Sequence, residues 1–158
     1  MMSDLVFKEL NKADIAEIAA LGLLLNPAYS KNELWAYLEE MFSFNSYRCF
    51  GLFLNEELIA MSSGWITVRF YCGRQLEVDN VVVKPELQSQ GIGATFFTFI
   101  EDWAKENNCR SLELNTYVQN TRSHKFYFNQ GHSIIGYHFQ KKLGQKEDTS
   151  DSVNGCRV

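Results

Sequence analysis

The sequence predicts an α/β protein of the α+β kind, with elements in the order β-α-α-β-β-β-α-β-α-β. Three observations predict it. Some short runs alternate apolar and polar residues with period two, others place apolar residues at helical spacing, and short polar turns join consecutive strand-like runs into antiparallel pairs.

The elements follow in order. Residues 5–10 (LVFKEL) read as a strand, and from Asp14 to Leu25 the residues Ile15, Ile18, Ala19 and Leu23 recur at helical spacing. A second helix starts at Ser30, where Ser-Lys-Asn-Glu forms a capping box: the Ser30 hydroxyl accepts from the Glu33 amide and the carboxylate reaches back. Leu34, Leu38 and Met41 continue its apolar face. FGLFL and LIAMSSGWITVRFY are strands joined by a turn at Asn55, Glu56 and Glu57, and a turn over residues 71–74 leads into LEVDNVVV. Ile92, Phe96, Phe99, Ile100 and Trp103 mark an amphipathic helix that stops near Asn107 and Asn108. SLELNTYV alternates as a strand, TRSHKFYFNQG is a short helix closed by Gly131, and SIIGYHFQKKL (residues 133–143) is a last strand.

Residues 1–143 thus read as one domain and residues 144–158 as a loose tail, which has too little apolar surface to offset the entropy of ordering. At 158 residues, with 46% apolar side chains and 14% aromatic, the chain has material for one substantial core. Fifteen basic against 19 acidic residues, with no basic stretch, disfavour nucleic acid as a partner. No run is long and apolar enough to span a bilayer, and the acidic residue in MMSDLVFKEL is unlike a signal peptide, so a cytoplasmic protein with no membrane partner is expected. Cys49, Cys72, Cys109 and Cys156 are scattered without metal-ligand spacing and read as reduced thiols.

Chemistry concentrates in VKPELQSQGIGA, residues 83–94. Phe96 occupies the third glycine position of a dinucleotide fingerprint, and six residues separate Lys84 from Gly91 where that fold makes a tighter turn. No Gly-Lys-Ser/Thr follows, so a Walker loop is also excluded. A strand, a polar loop and a glycine-flanked helix start remain. Such a start offers unpaired N–H groups and the positive end of the helix dipole to an anion, and glycine admits it without a Cβ in the way.

The string V-x-P-x-x-Q-x-x-G-x-G, as Val83, Pro85, Gln88, Gly91 and Gly93, resembles the acetyl-CoA loop of the GNAT superfamily of N-acetyltransferases. Asn120, Ser123, Phe126, Tyr127 and Gly131 resemble that family's second cofactor motif. The element order is similar over residues 5–143, though the diagnostic motifs lie within residues 77–131. Two departures stand out: Gln88 brings no charge where arginine is common, and Ser123 replaces the more usual alanine.

The resemblance implies a GNAT-like mixed, mostly antiparallel central sheet flanked by helices. It implies an acetyltransferase that moves an acetyl group from acetyl-CoA to a primary amine by direct attack in a ternary complex, with no metal. Gln88, Ser89, Gln90, Gly91, Ile92, Gly93 and Ala94 would bind the cofactor pyrophosphate, with Asn120, Ser123 and Tyr127 as further cofactor contacts. A break in strand pairing would free main-chain N–H groups of Val81, Val82 and Val83 for the pantetheine arm and the thioester carbonyl. Tyr127 resembles the general acid that meets the departing thiolate.

An ammonium is no nucleophile, so the amine needs a base. Period-two alternation places residues 77, 79, 81 and 83 on one face, which brings Glu77 and Asp79 together as candidates. Asp79 matches the family's usual position better. His124, His132 and His138 read as structural. Trp35, Tyr37, Glu39, Glu40, Met41 and Phe42 sit where the family admits its acceptor, and acidic and aromatic residues suit a cationic small-molecule or peptide amine. A non-catalytic acyl-CoA binding or regulatory module is the alternative reading, and a homodimer is compatible with the sequence.

Overall fold

Five strands line up in chain order in the computed structural model of the protein, which describes residues 4–143. They are β1 (Leu5–Leu10), β2 (Tyr47–Leu54), β3 (Glu57–Arg69), β4 (Gly73–Val83) and β5 (Ser111–Leu114). Neighbours run antiparallel except β4 and β5, which are parallel. Four helices cover the sheet: α1 (Ile15–Leu25), α2 (Lys31–Met41), α3 (Ile92–Glu106) and α4 (Thr121–Asn129). This is the mixed, mostly antiparallel architecture expected. Among the described residues no helix is long and apolar enough to cross a membrane.

Local chemistry sets most boundaries. The capping box at Ser30 is formed, with the Glu33 amide donating to Ser30 Oγ at 3.2 Å and the Ser30 amide to Glu33 at 2.8 Å. Those bonds favour the ionised carboxylate and hold the Glu33 pKa below its ordinary value. Asn55 and Glu56, both at positive φ, make the β2–β3 turn, and Gly73 at φ 75° opens β4.

The sheet carries a separate core on each face. Against one face α1 and α2 bury Ile15, Ile18 and Leu38 with Tyr47, Met61 and Val82. Against the other, α3 buries Ile92, Phe96, Phe97, Ile100 and Ala104 with Leu76, Val78, Val81 and Val83, joined by Tyr127 of α4. Each fully buried large apolar side chain contributes roughly 1.5–3 kcal/mol. The expected stripe on α3 is rotated slightly. Phe97 is fully buried, whereas Phe99 and Trp103 lie at the margin, against Phe7 at 5.5 Å and Phe50 at 4.8 Å between ring centres.

Three sequence expectations are corrected. The strand read over residues 111–118 ends at Leu114, and residues 133–143 form no strand among the described residues. Residues 77, 79, 81 and 83 do not share a face. Between the pairs Met61↔Val82 and Ser63↔Asp79, β4 advances by one residue more than β3, a bulge with Asn80 at φ 50°. The extra residue reverses the alternation, so Val81 and Val83 face α3 while Val82 faces α1 and α2. The tail expected over residues 144–158 lies outside the described residues.

Candidate active site

The bulge in β4 organises two adjoining regions. On the α1–α2 side lies a cleft of about 290 Å³. Leu25, Tyr37 and Met41 line it from the helices, Asn26 and Tyr29 from the loop between them, and Met61, Ser63, Asp79 and Asn80 from the sheet. Tyr29 and Tyr37 meet edge to face with ring centres 5.7 Å apart. Asp79 is the one carboxylate among the lining residues. Of the acceptor-side residues read from the sequence, Tyr37 and Met41 line the cleft. Trp35, Glu39, Glu40 and Phe42 do not, and Phe42 packs instead on Tyr47. Sequence reasoning overlooked Asn26 and Tyr29, which follow α1 in a loop without periodicity.

Asp79 accepts a hydrogen bond from the Asn80 amide at 2.7 Å. Desolvation by the surrounding protein pushes its pKa above the ordinary 3.8, the Asn80 amide opposes this, and the Glu77 charge adds to the rise. Solvent still reaches the residue, so crowding raises the pKa while leaving the carboxylate accessible to water. Behind it, Tyr47 Oη and Ser63 Oγ are 2.7 Å apart, and Asn80 Nδ2 donates to Ser63 Oγ at 3.5 Å. Burial raises the Tyr47 pKa, and it pushes the Cys49 thiol up to about 12, so both stay protonated at neutral pH. Glu77 points elsewhere: it pairs with Arg69 at 3.1 Å, accepts from Asn115 at 3.3 Å, and does not line the cleft.

On the other side β4 and β5 part company. Their parallel pairing runs from Gln75↔Ser111 to Val78↔Leu114 and stops, leaving residues 79–83 without a neighbour on that edge. The Lys84 amide donates to Ile59 of β3 at 2.9 Å, and Val82 is registered with Met61. By strand alternation the main-chain groups of Val81 and Val83 therefore turn toward the gap, and Gln88 Nε2 donates to the Val83 carbonyl there at 3.0 Å. Val82 is the exception to the sequence reading, because its main chain is directed to β3.

The loop beyond is braced. Pro85–Leu87 form a 3₁₀ turn, Gln90 Nε2 donates to the Glu86 carbonyl at 2.8 Å, and Ser89 lies at φ 61°. Gly91 at φ 82° starts α3 with no side-chain cap, so the first-turn amides of Ile92, Gly93 and Ala94 are left to an external acceptor. The Ile92 side chain is buried and anchors this turn. The Ser89 hydroxyl accepts from Arg122 Nη2 at 3.2 Å, which brings a guanidinium from α4 to the loop. Arg122 escaped sequence reasoning because a separation of 33 positions along the chain leaves no periodic signal. Asn120 caps α4 by accepting from the Ser123 amide at 3.2 Å. Tyr127 is buried, its ring 5.5 Å from Phe97 and 5.6 Å from His132. His124 Nε2 lies 3.0 Å from the Tyr117 carbonyl.

Comparison with known proteins agrees with this fold. The model of the acetyltransferase (GNAT) family matches residues 18–131. The chain belongs to the GNAT family. It is, by that membership, an acetyl-CoA-dependent N-acetyltransferase. This GNAT protein is 27% identical over 107 residues to the uncharacterized N-acetyltransferase YhdJ of Bacillus subtilis strain 168, covering 67% of this chain and 75% of that one. It is 28% identical over 67 residues to the aminoalkylphosphonate N-acetyltransferase of Salmonella typhimurium strain LT2, 42% of this chain and 44% of the other. The fold matches the aminoglycoside N-acetyltransferase AAC(6')-Iy, solved in complex with CoA, with a TM-score of 0.76 at 18% identity, over 87% of this chain and 94% of that one.

Proposed function

We propose that this GNAT protein transfers acetyl from acetyl-CoA to a small primary amine by direct attack in a ternary complex, with Asp79 as base and Tyr127 as acid. The observation that carries the reading is the β4 bulge, which turns Asp79 into the cleft while Val81 and Val83 turn main-chain groups into the gap behind it. Asp79 takes the amine proton, directly or through water. The Val81 and Val83 amides face the thioester oxygen and the pantetheine arm, and Tyr127 donates to the leaving sulfur.

The uncapped start of α3, Gly91 and Arg122 suit a pyrophosphate, with Ser89, Gln90, Ile92, Gly93 and Ala94 giving main-chain contacts. Gln88, Asn120 and Ser123 act as positioning residues: Gln88 fixes the loop to β4, and Asn120 with Ser123 orders the start of α4. Relatives are described as acting on aminoalkylphosphonates and aminoglycosides, both bearing amines. A single carboxylate among aromatic and apolar walls favours an acceptor with one cationic centre over a polycation.

Acetyl-CoA should stabilise the protein in a thermal melt, and a panel of primary amines should include one that releases free CoA thiol. A melt unmoved by acetyl-CoA would reject the reading, and stabilisation without transfer across the panel would favour a non-catalytic acyl-CoA module. In calorimetry Gly91→Val should weaken acetyl-CoA by about tenfold or more, since a β-branched residue at positive φ is strained and its Cβ crowds the anion. Unchanged affinity in a folded variant would remove the loop from the site. Arg122→Ala should cost roughly 2–10-fold in acetyl-CoA affinity and flatten its salt dependence, as expected for an exposed guanidinium near phosphate. An unaltered salt profile would assign Arg122 to loop bracing alone.

A further inference from the structure

We propose that the cleft beside Asp79 selects a primary amine on an uncharged, apolar body, rejects amines that also carry a carboxylate or phosphonate, and uses Gly22 to set how long a body it admits. The inference rests on the reading of that cleft as the acceptor site and names its substrate class. Charge is the first ground. Among the described residues that line the cleft there is no Lys, Arg or His, and the polar groups besides Asp79, on Asn26, Asn80, Ser63 and the two tyrosines, are neutral. The charge that acts on Asp79 from outside the lining is a second carboxylate, Glu77. An ammonium is drawn into such a field. A carboxylate on the acceptor, held ~4–8 Å from Asp79 by a shared amine, meets repulsion worth about 30-fold or more in affinity and finds no cation to replace its lost water.

The walls are the second ground. Ile18, Ala19, Leu38 and Met61 bring buried apolar side chains to the cleft, and Tyr29 and Tyr37 stand beside them 41% and 45% exposed, edge to face. Exposed rings next to buried apolar walls gain when an apolar body covers them. At about 290 Å³ the cleft lies at the small end of ligand sites, with room for one ring and a short linker.

Gly22 fixes the length. It stands inside α1, where glycine weakens a helix relative to alanine, so its presence calls for a reason beyond the helix itself. Outside its own helix backbone and chain neighbours, a Cβ at this position would meet one heavy atom within 4 Å, Leu34 Cδ1 at 3.3 Å. The remaining space around that Cβ is open, and Gly22 and Leu34 both line the cleft. A longer side chain at position 22 therefore enters volume that an acceptor body would otherwise fill. Glycine here is an extension of the cleft, bordered by Leu34.

Calorimetry on the full chain saturated with CoA, which has no acetyl group to transfer, reads acceptor binding apart from chemistry. 2-Phenylethylamine should bind at least about 30-fold more tightly than L-phenylalanine, the same body with a carboxylate added. Gly22→Leu should lower the preference for 2-phenylethylamine over ethylamine by about tenfold or more, whether read as affinity or as kcat/KM for acetyl transfer, and should keep the melt shift given by acetyl-CoA. Gly22→Ala, which asks Leu34 to give by only a few tenths of an ångström, should move the preference the same way by a smaller factor, and it decides the matter where the leucine variant does not fold. Equal affinity for the two phenyl compounds, or a preference unmoved by substitution of Gly22, overturns the inference and leaves the cleft as an acceptor site. Neither amine bound, with the acetyl-CoA melt shift intact, overturns the acceptor-site reading itself and this inference with it.

Discussion

Asp79→Asn is expected to lower turnover by ~10²–10⁴-fold, the range that loss of a positioned general base usually costs. The deficit should be greatest at pH values where the acceptor is an ammonium and should shrink as pH rises and the amine loses its proton unaided. Acetyl-CoA affinity should hold, because the carboxylate lies on the acceptor side of the bulge. Stability moves the other way. Desolvation raises the folded-state pKa of Asp79 above its unfolded value, so the stabilising contribution is complete below about pH 3.8 and is lost as pH climbs through the raised value. Asparagine carries no charge to desolvate and keeps the acceptor for the Asn80 amide, so the variant should melt at or above the wild-type temperature at neutral pH. An Asp79→Asn enzyme with the wild-type pH profile would remove Asp79 as base. Glu77 would be a poor successor, held as it is by Arg69 and Asn115 away from the cleft.

Tyr127→Phe is the second large effect expected, also up to ~10²–10⁴-fold on turnover. The ring packs against Phe97 and His132 within the α3 core, and phenylalanine keeps those contacts, so folding and acetyl-CoA binding should change little. The leaving thiol has a reference pKa near that of cysteine, about 8.5, and departs as thiolate with some ease, which places the loss toward the lower end of the range. Single-turnover transfer with a thiol-reporting assay separates chemistry from product release. Transfer at the wild-type rate would reduce Tyr127 to a packing aromatic.

The sequence was most legible where a single element carries its own signal. Ser30 with Glu33 marked the start of α2, and the apolar spacing of Ile92, Phe96 and Ile100 marked α3. The loop from Gln88 to Gly91 was legible because glycine spacing and the following helix coincide. Illegible features depend on neighbours far along the chain. Nothing within LEVDNVVV announces that Asn80 takes a positive φ, and that one residue separates Asp79 from the face of Val81 and Val83. Arg122 reaches Ser89 through tertiary placement alone. Residues 115–118 and 133–143 have strand patterns, but pattern cannot form a ladder without a partner strand.

The separate cores on the two faces of the sheet have an evolutionary consequence. Tyr37 and Met41 of α2, with Tyr29 of the loop between α1 and α2, touch the cleft beside helices whose packing residues belong to one core, while the cofactor loop and α3 are anchored in the other. Because distant sites with no shared partners change stability nearly independently, substitutions can accumulate on the α1–α2 side without disturbing the donor half. Descendants of such a chain can drift toward new amines one residue at a time while inheriting the acetyl donor unchanged, with Asp79 as the hinge of that division of labour.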